Sequence, residues 1–171
     1  MTEVKRKYGY DFSDYSKPSL HRRINRFFLN WKFRDVEVFK NKLISDKLFF
    51  EYFLQELTVT VTEMFRDPSF FKILAYDIFP ILKKMPFIRI WHAGCSTGQE
   101  AYSLAILLKE HGLLEKCRIY ATDINSKLLD VAKNGVFPPD LIEKYETNYL
   151  KSGGKNKFSD YYAIVEGKAK Y

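Results

Sequence analysis

The second half of the chain alternates strand signals with helix signals, and this alternation most constrains the fold. Residues 88–93 form a short apolar run typical of a strand, and a turn of small residues, 94–98, follows it. Residues 99–111 carry a helical pattern, and a second strand pattern, 117–122, precedes another helix at 125–134. The order β-loop-α-β-loop-α predicts an α/β fold that opens a doubly wound, Rossmann-like parallel sheet.

In such a sheet the ligand lies outside the carboxyl ends of the strands. Gly94 and Gly98 bracket the first of these turns, but their spacing fits neither the dinucleotide-binding nor the phosphate-binding glycine pattern. Asp123 follows the second strand, where a carboxylate accepts hydrogen bonds from ribose hydroxyls; the alternative is a helix N-cap. Glu100 lies in the first turn of the helix that follows. Two roles are open for it: its carboxylate faces the same pocket, or it only complements the helix dipole.

The first 57 residues predict a separate domain built from helices. Helical patterns cover 19–31, 36–44 and 47–57, and Asp67-Pro68 begins a further helix that runs to about residue 84. Between them, 58–66 alternates β-branched residues and predicts an extended linker. Near the C-terminus the pattern predicts a loop that enters a hairpin-like strand, and a small β-subdomain from about residue 145.

The helix predicted at 19–31 is amphipathic, with Arg22, Arg23 and Arg26 opposite its apolar face. Six basic residues and no acidic one lie between Lys17 and Arg34. Two interpretations remain open: a solvated face, or a docking surface for an acidic partner. Nucleic-acid binding is disfavoured, because the aromatic residues lie on the packing face and not among the arginines.

Composition narrows the class of protein. Hydrophobic residues make up 46% and aromatic residues 17%, which excludes a disordered chain. Cys95 and Cys117 have neither zinc-ligand nor disulfide-framework spacing, so no metal is expected. No apolar run is long enough to cross a membrane and the first residues lack a secretion signal, which predicts a cytoplasmic protein.

Several motifs resemble the chemotaxis-receptor glutamate O-methyltransferases of the CheR type. They are Thr62-Glu-Met-Phe-Arg66-Asp-Pro, Arg89-Ile-Trp-His-Ala-Gly-Cys-Ser-Thr-Gly-Gln-Glu100 and Ala121-Thr-Asp123-Ile-Asn. The resemblance covers nearly the whole chain, including the helix predicted at 19–31 that carries the three arginines. It implies an S-adenosylmethionine-dependent methyltransferase domain at 58–171 that follows an N-terminal helical receptor-docking domain at 1–57.

The resemblance also implies roles for individual residues. Asp123 would hold the ribose of S-adenosylmethionine, and Glu100 would pair with the ammonium group of its methionyl part. Arg66 would bind the methionyl carboxylate and border the reaction centre. The implied cofactor-binding set is Thr60, Thr62, Arg66, Gly94, Cys95, Ser96, Gly98, Glu100 and Asp123, with Arg66 also implied as catalytic. The chain departs from the family at four positions. Thr60 stands where the family usually has asparagine and Met64 where it has phenylalanine. Gln99 replaces the usual glutamate and Ala101 the usual proline.

The implied function is methyl transfer to glutamate side chains on the cytoplasmic domain of a methyl-accepting chemoreceptor. Arg22, Arg23 and Arg26 would then dock on the acidic methylation region of that receptor. Only 48 residues follow Asp123, and the family's later motifs are absent, so we expect an incomplete C-terminal domain with little or no activity of its own. The alternative is a non-catalytic module that binds the cofactor or docks on the receptor.

Overall fold

The computed structural model describes residues 1–58 and 62–171. The chain forms two compact units, Met1–Val59 and Thr60–Tyr171. The roles predicted for segments 1–57 and 58–171 stay predictions. In the part of the chain that the structure describes, no helix is long and apolar enough to cross a membrane.

The first unit is all helical. Its helices are α1 (Thr2–Tyr8), α2 (Lys17–Asn30), α3 (Val36–Ser45) and α4 (Lys47–Leu57). The three helices expected here are found within two residues of their predicted ends, whereas α1 was not predicted. Two aspartates determine where helices begin: Asp35 accepts hydrogen bonds from the first-turn amides of α3, and Asp46 accepts one from α4 at 2.9 Å.

The core of the first unit is aromatic. Phe27 on α2 is 1% exposed, and its ring lies 5.2 Å from that of Phe53 and 5.4 Å from that of Phe49, both on α4. Phe39 of α3 and Trp31 also contact the Phe27 ring. Edge-to-face and tilted ring pairs of this kind add to the free energy gained by burying the apolar area, so this cluster holds the helices together.

The second unit begins with helices and continues as an α/β arrangement. Its elements are α5 (Pro68–Ile73), a π-helical segment (Leu74–Ile78), α6 (Phe79–Leu82), β1 (Ile88–Ala93), α7 (Gln99–Glu110), β2 (Cys117–Thr122), α8 (Ser126–Asn134), β3 (Val136–Phe137), α9 (Ile142–Lys151), β4 (Ala163–Val165) and β5 (Lys168–Lys170). β1 and β2 pair in parallel, with Trp91 opposite Tyr120 and His92 opposite Ala121. The predicted α/β class, a helical domain followed by a parallel-sheet domain, is confirmed.

Three details differ from the predictions. In the described part of the linker, Met64 and Phe65 form a turn and not an extended strand, with Phe65 at φ +51°. The helix predicted to run to residue 84 contains the π-helical segment, which ends just before Pro80, a residue that has no amide hydrogen to donate. The C-terminal sheet has the order β3-β5-β4, so it recruits a strand from residue 136 and not only from 145.

A partly buried polar cluster ties the end of α7 to the C-terminal segment. The hydroxyl groups of Tyr149 and Tyr161 both donate to the same carboxylate oxygen of Glu110, the latter at 2.7 Å. Burial, reinforced by the Glu110 hydrogen bond, raises the pKa of Tyr149, so its hydroxyl stays protonated and remains a donor. α9, which carries Tyr149, is thereby fixed against α7.

Candidate functional site

The loop between β1 and α7 is shaped by its glycines. Gly94 has φ +77°, and a side chain added there would meet no atom within 4 Å, so the backbone faces open space. Gly98 has φ +95° and lies against α8, where an added Cβ would come within 3.0 Å of the Ala132 Cβ. The amides of Gly94 and Cys95 both donate to the Thr122 carbonyl, at 2.8 and 2.9 Å, which fixes the loop at the carboxyl end of β2.

Asp123 locks this loop to the segment after β2. Its Oδ2 accepts a hydrogen bond from the Ser96 amide at 2.8 Å, and its Oδ1 accepts one from the Asn125 amide at 2.9 Å. The N-cap of α8 is Asn125, so the alternative that Asp123 itself caps this helix is wrong. Each carboxylate oxygen has two lone pairs, so Asp123 can still accept two hydroxyl donors from a ligand.

Glu100 projects from the first turn of α7, and 60% of its side chain is exposed. Its Oε1 lies 2.9 Å from Nδ1 of His92, a residue of β1 that is almost fully buried. Sequence reasoning missed this pair. The signal was present, because His92 alternates with Ile88 and Ile90 on one face of β1.

Arg66 is exposed and immediately follows two fully buried residues, Met64 and Phe65. The Phe65 amide donates to Oγ of Ser103 at 2.9 Å, and the Met64 carbonyl accepts from Asn148 at 3.1 Å. Ser103 lies three residues beyond Glu100, on the same side of α7. The turn that carries Arg66 is therefore anchored to the helix that carries Glu100.

The other expected cofactor residues are placed as follows. Thr62 is half-buried, and Thr60 lies outside the described residues. The Cys95 and Ser96 side chains are buried, and Ser96 has φ +52°. Burial, with the nearby Asp123 charge as a second cause, raises the pKa of the Cys95 thiol. Cys95 therefore shapes the loop as a neutral thiol and is not an activated nucleophile.

Among residues 1–58 and 62–171, no three His, Cys, Asp or Glu side chains come together as a set of metal ligands. The carboxylates of Glu100 and Asp123 lie at the carboxyl ends of β1 and β2, and the turn that carries Arg66 is anchored to the same helix as Glu100. This arrangement suits a ligand that carries hydroxyl groups, a cation and an anion.

The three arginines of α2 are only partly exposed as expected. Arg22 and Arg26 are exposed, but Arg23 is half-buried and its Nη1 donates to the carbonyls of Glu56 at 3.4 Å and Thr58 at 3.1 Å. The carbonyls at the end of α4 have no partner within the helix, and the guanidinium supplies donors to them. The expectation that three arginines present themselves to a partner is thus corrected for Arg23, which has a structural role.

Substitution of Arg23 and of Arg22 should have different effects on stability. We expect Arg23→Ala to lower the free energy of unfolding of the first unit by about 1 kcal/mol, the usual net value of such hydrogen bonds. Arg22→Ala, at an exposed position, should change it by less than about 0.5 kcal/mol. Urea unfolding followed by circular dichroism measures both, and equal effects would contradict the role of Arg23.

A parallel α/β sheet with a glycine-rich loop and a carboxylate after the second strand defines a class of nucleoside-binding domain. Sequence comparison specifies the class further. Residues 1–58 match the family described as CheR methyltransferase, all-alpha domain, and residues 60–169 match CheR methyltransferase, SAM binding domain. The chain belongs to the CheR methyltransferase family, as its motifs predicted.

Similar proteins come from several bacteria. Cher3 of Pseudomonas putida is 44% identical over 163 residues, which cover 95% of this chain and 60% of that protein. A chemotaxis protein methyltransferase of Listeria innocua is 28% identical over 95% of this chain and 63% of its own length. One from Borreliella burgdorferi is 35% identical over 63% of this chain and 41% of its own length. The chain thus spans less than two thirds of the length of these relatives.

Proposed function

We propose that this chain binds S-adenosylmethionine at the carboxyl ends of β1 and β2 and serves methyl transfer to glutamate side chains of a chemoreceptor. The observation that carries the proposal is the Asp123 carboxylate, which holds the Ser96 amide at 2.8 Å beside the open backbone of Gly94. This carboxylate and this open backbone would supply a ribose acceptor and a surface that admits a ligand at one point of the fold, which supports the proposal. Membership of the CheR methyltransferase family supports the choice of cofactor.

The residues fit the charges of that cofactor. Asp123 would accept hydrogen bonds from the ribose hydroxyls, and the exposed Glu100 carboxylate would pair with the methionyl ammonium. Arg66 would bind the methionyl carboxylate, since its planar guanidinium can form two parallel hydrogen bonds with a carboxylate. Thr60 and Thr62 complete the proposed set, together with the backbone of residues 94–98.

When bound, the cofactor supplies a sulfonium methyl group, which a glutamate oxygen takes in one displacement that leaves the bonding electron pair on sulfur and forms an ester. A glutamate is ionised near neutral pH, so no side chain of this protein has to remove a proton. Arg66 and Glu100 instead act by orientation, because they hold opposite charges of one ligand and so fix its direction. We propose Arg66 as the residue closest to the reacting group.

The proposed partner is the cytoplasmic domain of a methyl-accepting chemoreceptor or a related signalling protein, and a chain that acts on it would work in the cytoplasm. Arg22 and Arg26 are two exposed cations on α2 that would pair with the acidic surface of the receptor. Arg23 contributes to this pairing only through the stability of the unit, given its hydrogen bonds to backbone carbonyls.

Two readouts test the proposal. Calorimetry with S-adenosylhomocysteine should show binding that Arg66→Ala weakens at least about tenfold, since a charge-assisted pair is lost. Little turnover is expected of this chain by itself, but any label that it transfers from methyl-labelled cofactor to a receptor cytoplasmic fragment should be held as a base-labile ester, which distinguishes glutamate from other acceptors. Binding with no label transferred even after prolonged incubation would favour a non-catalytic cofactor-binding module, and no binding at all would refute the site.

A further inference from the structure

His92 is the buried partner of the proposed ammonium-binding carboxylate. Only 7% of its side chain is exposed, and its Nδ1 lies 2.9 Å from Oε1 of Glu100. Its other ring nitrogen, Nε2, is buried and has no hydrogen-bond partner in the described part of the chain. Glu100 is therefore the polar contact that the structure records for this imidazole.

The surroundings of His92 are apolar. A cavity of about 230 Å³ borders both His92 and Glu100, and most of its wall is aromatic or aliphatic. Its other lining residues include Phe70, Phe71, Leu74 and Leu104. A polar ring among such neighbours costs free energy unless it is hydrogen-bonded, so the contact with Glu100 also holds His92 in place.

The geometry assigns the proton on the ring. An ionised carboxylate only accepts hydrogen bonds, so Nδ1 must be the nitrogen that carries hydrogen towards Oε1. Nε2 is buried without a partner among the described residues, so the hydrogen bond from Nδ1 is the one that orients the ring. His92 thus donates from Nδ1 to the Glu100 carboxylate.

We propose that His92 is a positioning residue that fixes the Glu100 carboxylate for the ammonium group of the cofactor. This inference rests on the function proposed above. Glu100 is largely exposed, and on its own it would sample several side-chain rotamers. The Nδ1–H bond holds Oε1 and leaves Oε2 for the ligand, so less conformational entropy is lost on binding.

Amide substitutions separate positioning from simple packing. The amide nitrogen of asparagine reaches the place of Nδ1, whereas that of glutamine reaches the place of Nε2. We expect His92→Leu and His92→Gln to weaken S-adenosylhomocysteine binding about tenfold, the value of one hydrogen bond to a charged group, and His92→Asn to retain most of it. His111→Leu, at the other end of α7, is the matched control and should bind as the wild type does.

A double variant shows whether His92 acts through Glu100. In a Glu100→Ala background there is no carboxylate to position, so adding His92→Leu should weaken binding by less than about twofold. A further tenfold loss in that background would assign His92 to packing alone and overturn the inference. Equal binding by the asparagine and glutamine variants would do the same.

Nitrogen-15 spectra of the histidine rings test the pair without any cofactor. The wild type should show hydrogen on Nδ1 of His92, and Glu100→Ala should shift the hydrogen towards Nε2. Hydrogen on Nε2 alone in the wild type would overturn the positioning role. If the wild type shows the expected tautomer but does not bind S-adenosylhomocysteine, the proposed function fails and the positioning role fails with it, whereas binding with the wrong tautomer refutes only the latter.

Discussion

Asp123→Ala should lower the affinity for S-adenosylhomocysteine by at least about 100-fold. Two ribose hydroxyls would lose a charged acceptor, and each such hydrogen bond contributes about 1.5–3 kcal/mol. The substitution also frees the Ser96 and Asn125 amides, which Asp123 holds at 2.8 and 2.9 Å, so the loop loses its lock. Titration calorimetry measures the affinity, and circular dichroism checks that the fold is kept.

Two variants separate these contributions. Asp123→Asn keeps the shape and one accepting oxygen but removes the charge, so we expect a smaller loss, about tenfold. Asp130→Ala removes a carboxylate from the exposed surface of α8, where Nζ of Lys133 lies 4.0 Å from Oδ1 of Asp130, and should leave binding unchanged. Wild-type affinity in Asp123→Ala would refute the ribose role, and equal losses in Asp123→Ala and Asp130→Ala would point to a general charge effect.

Phe27→Ala should lower the free energy of unfolding of the Met1–Val59 unit by about 3–5 kcal/mol. Phe27 is 1% exposed and its ring contacts aromatic rings from two other helices, so its removal leaves a cavity where α2, α3 and α4 meet. Because small domains are only marginally stable, this loss should leave much of the unit unfolded at 37 °C.

Tryptophan fluorescence can follow this unit by itself. Trp31 lies 5.6 Å from Phe27, and the other tryptophan, Trp91, lies in the second unit, so a Trp91→Phe background restricts the signal to the first. Leu29→Ala is the matched control, because Leu29 is on the same helix but 69% exposed, and it should cost less than about 0.5 kcal/mol. Similar losses for both variants would show that the aromatic cluster is not the core of the unit.

Local sequence signals were sufficient for most of the elements that position the site. β1, α7 and β2 lie where the apolar periodicity and the turn of small residues predicted them, because these signals act over a few residues. The motifs also indicated the family, which the comparison confirms. The interpretation of Asp123 as an N-cap failed because Asn125, two residues further on, is an equally good cap and takes that position.

The tertiary structure decided the contacts between distant residues. Phe65 is held by Ser103 across 38 positions and Met64 by Asn148 across 84, so the turn that carries Arg66 could not be read from the β-branched pattern around it. Arg23 and Arg22 are adjacent and chemically identical, yet only Arg23 reaches the end of α4, 35 positions away at Thr58.

The sequence alone determined the order of elements and the residue types at the carboxyl ends of the strands, since periodicity, caps and glycines act locally. It could not determine which side chains share a hydrogen bond. The pairing of His92 with Glu100 depends on how α7 lies against β1, and that depends on the packing of many apolar side chains at once. The kinds of chemical group at the site therefore follow from local sequence, whereas the orientation of those groups follows from the tertiary structure.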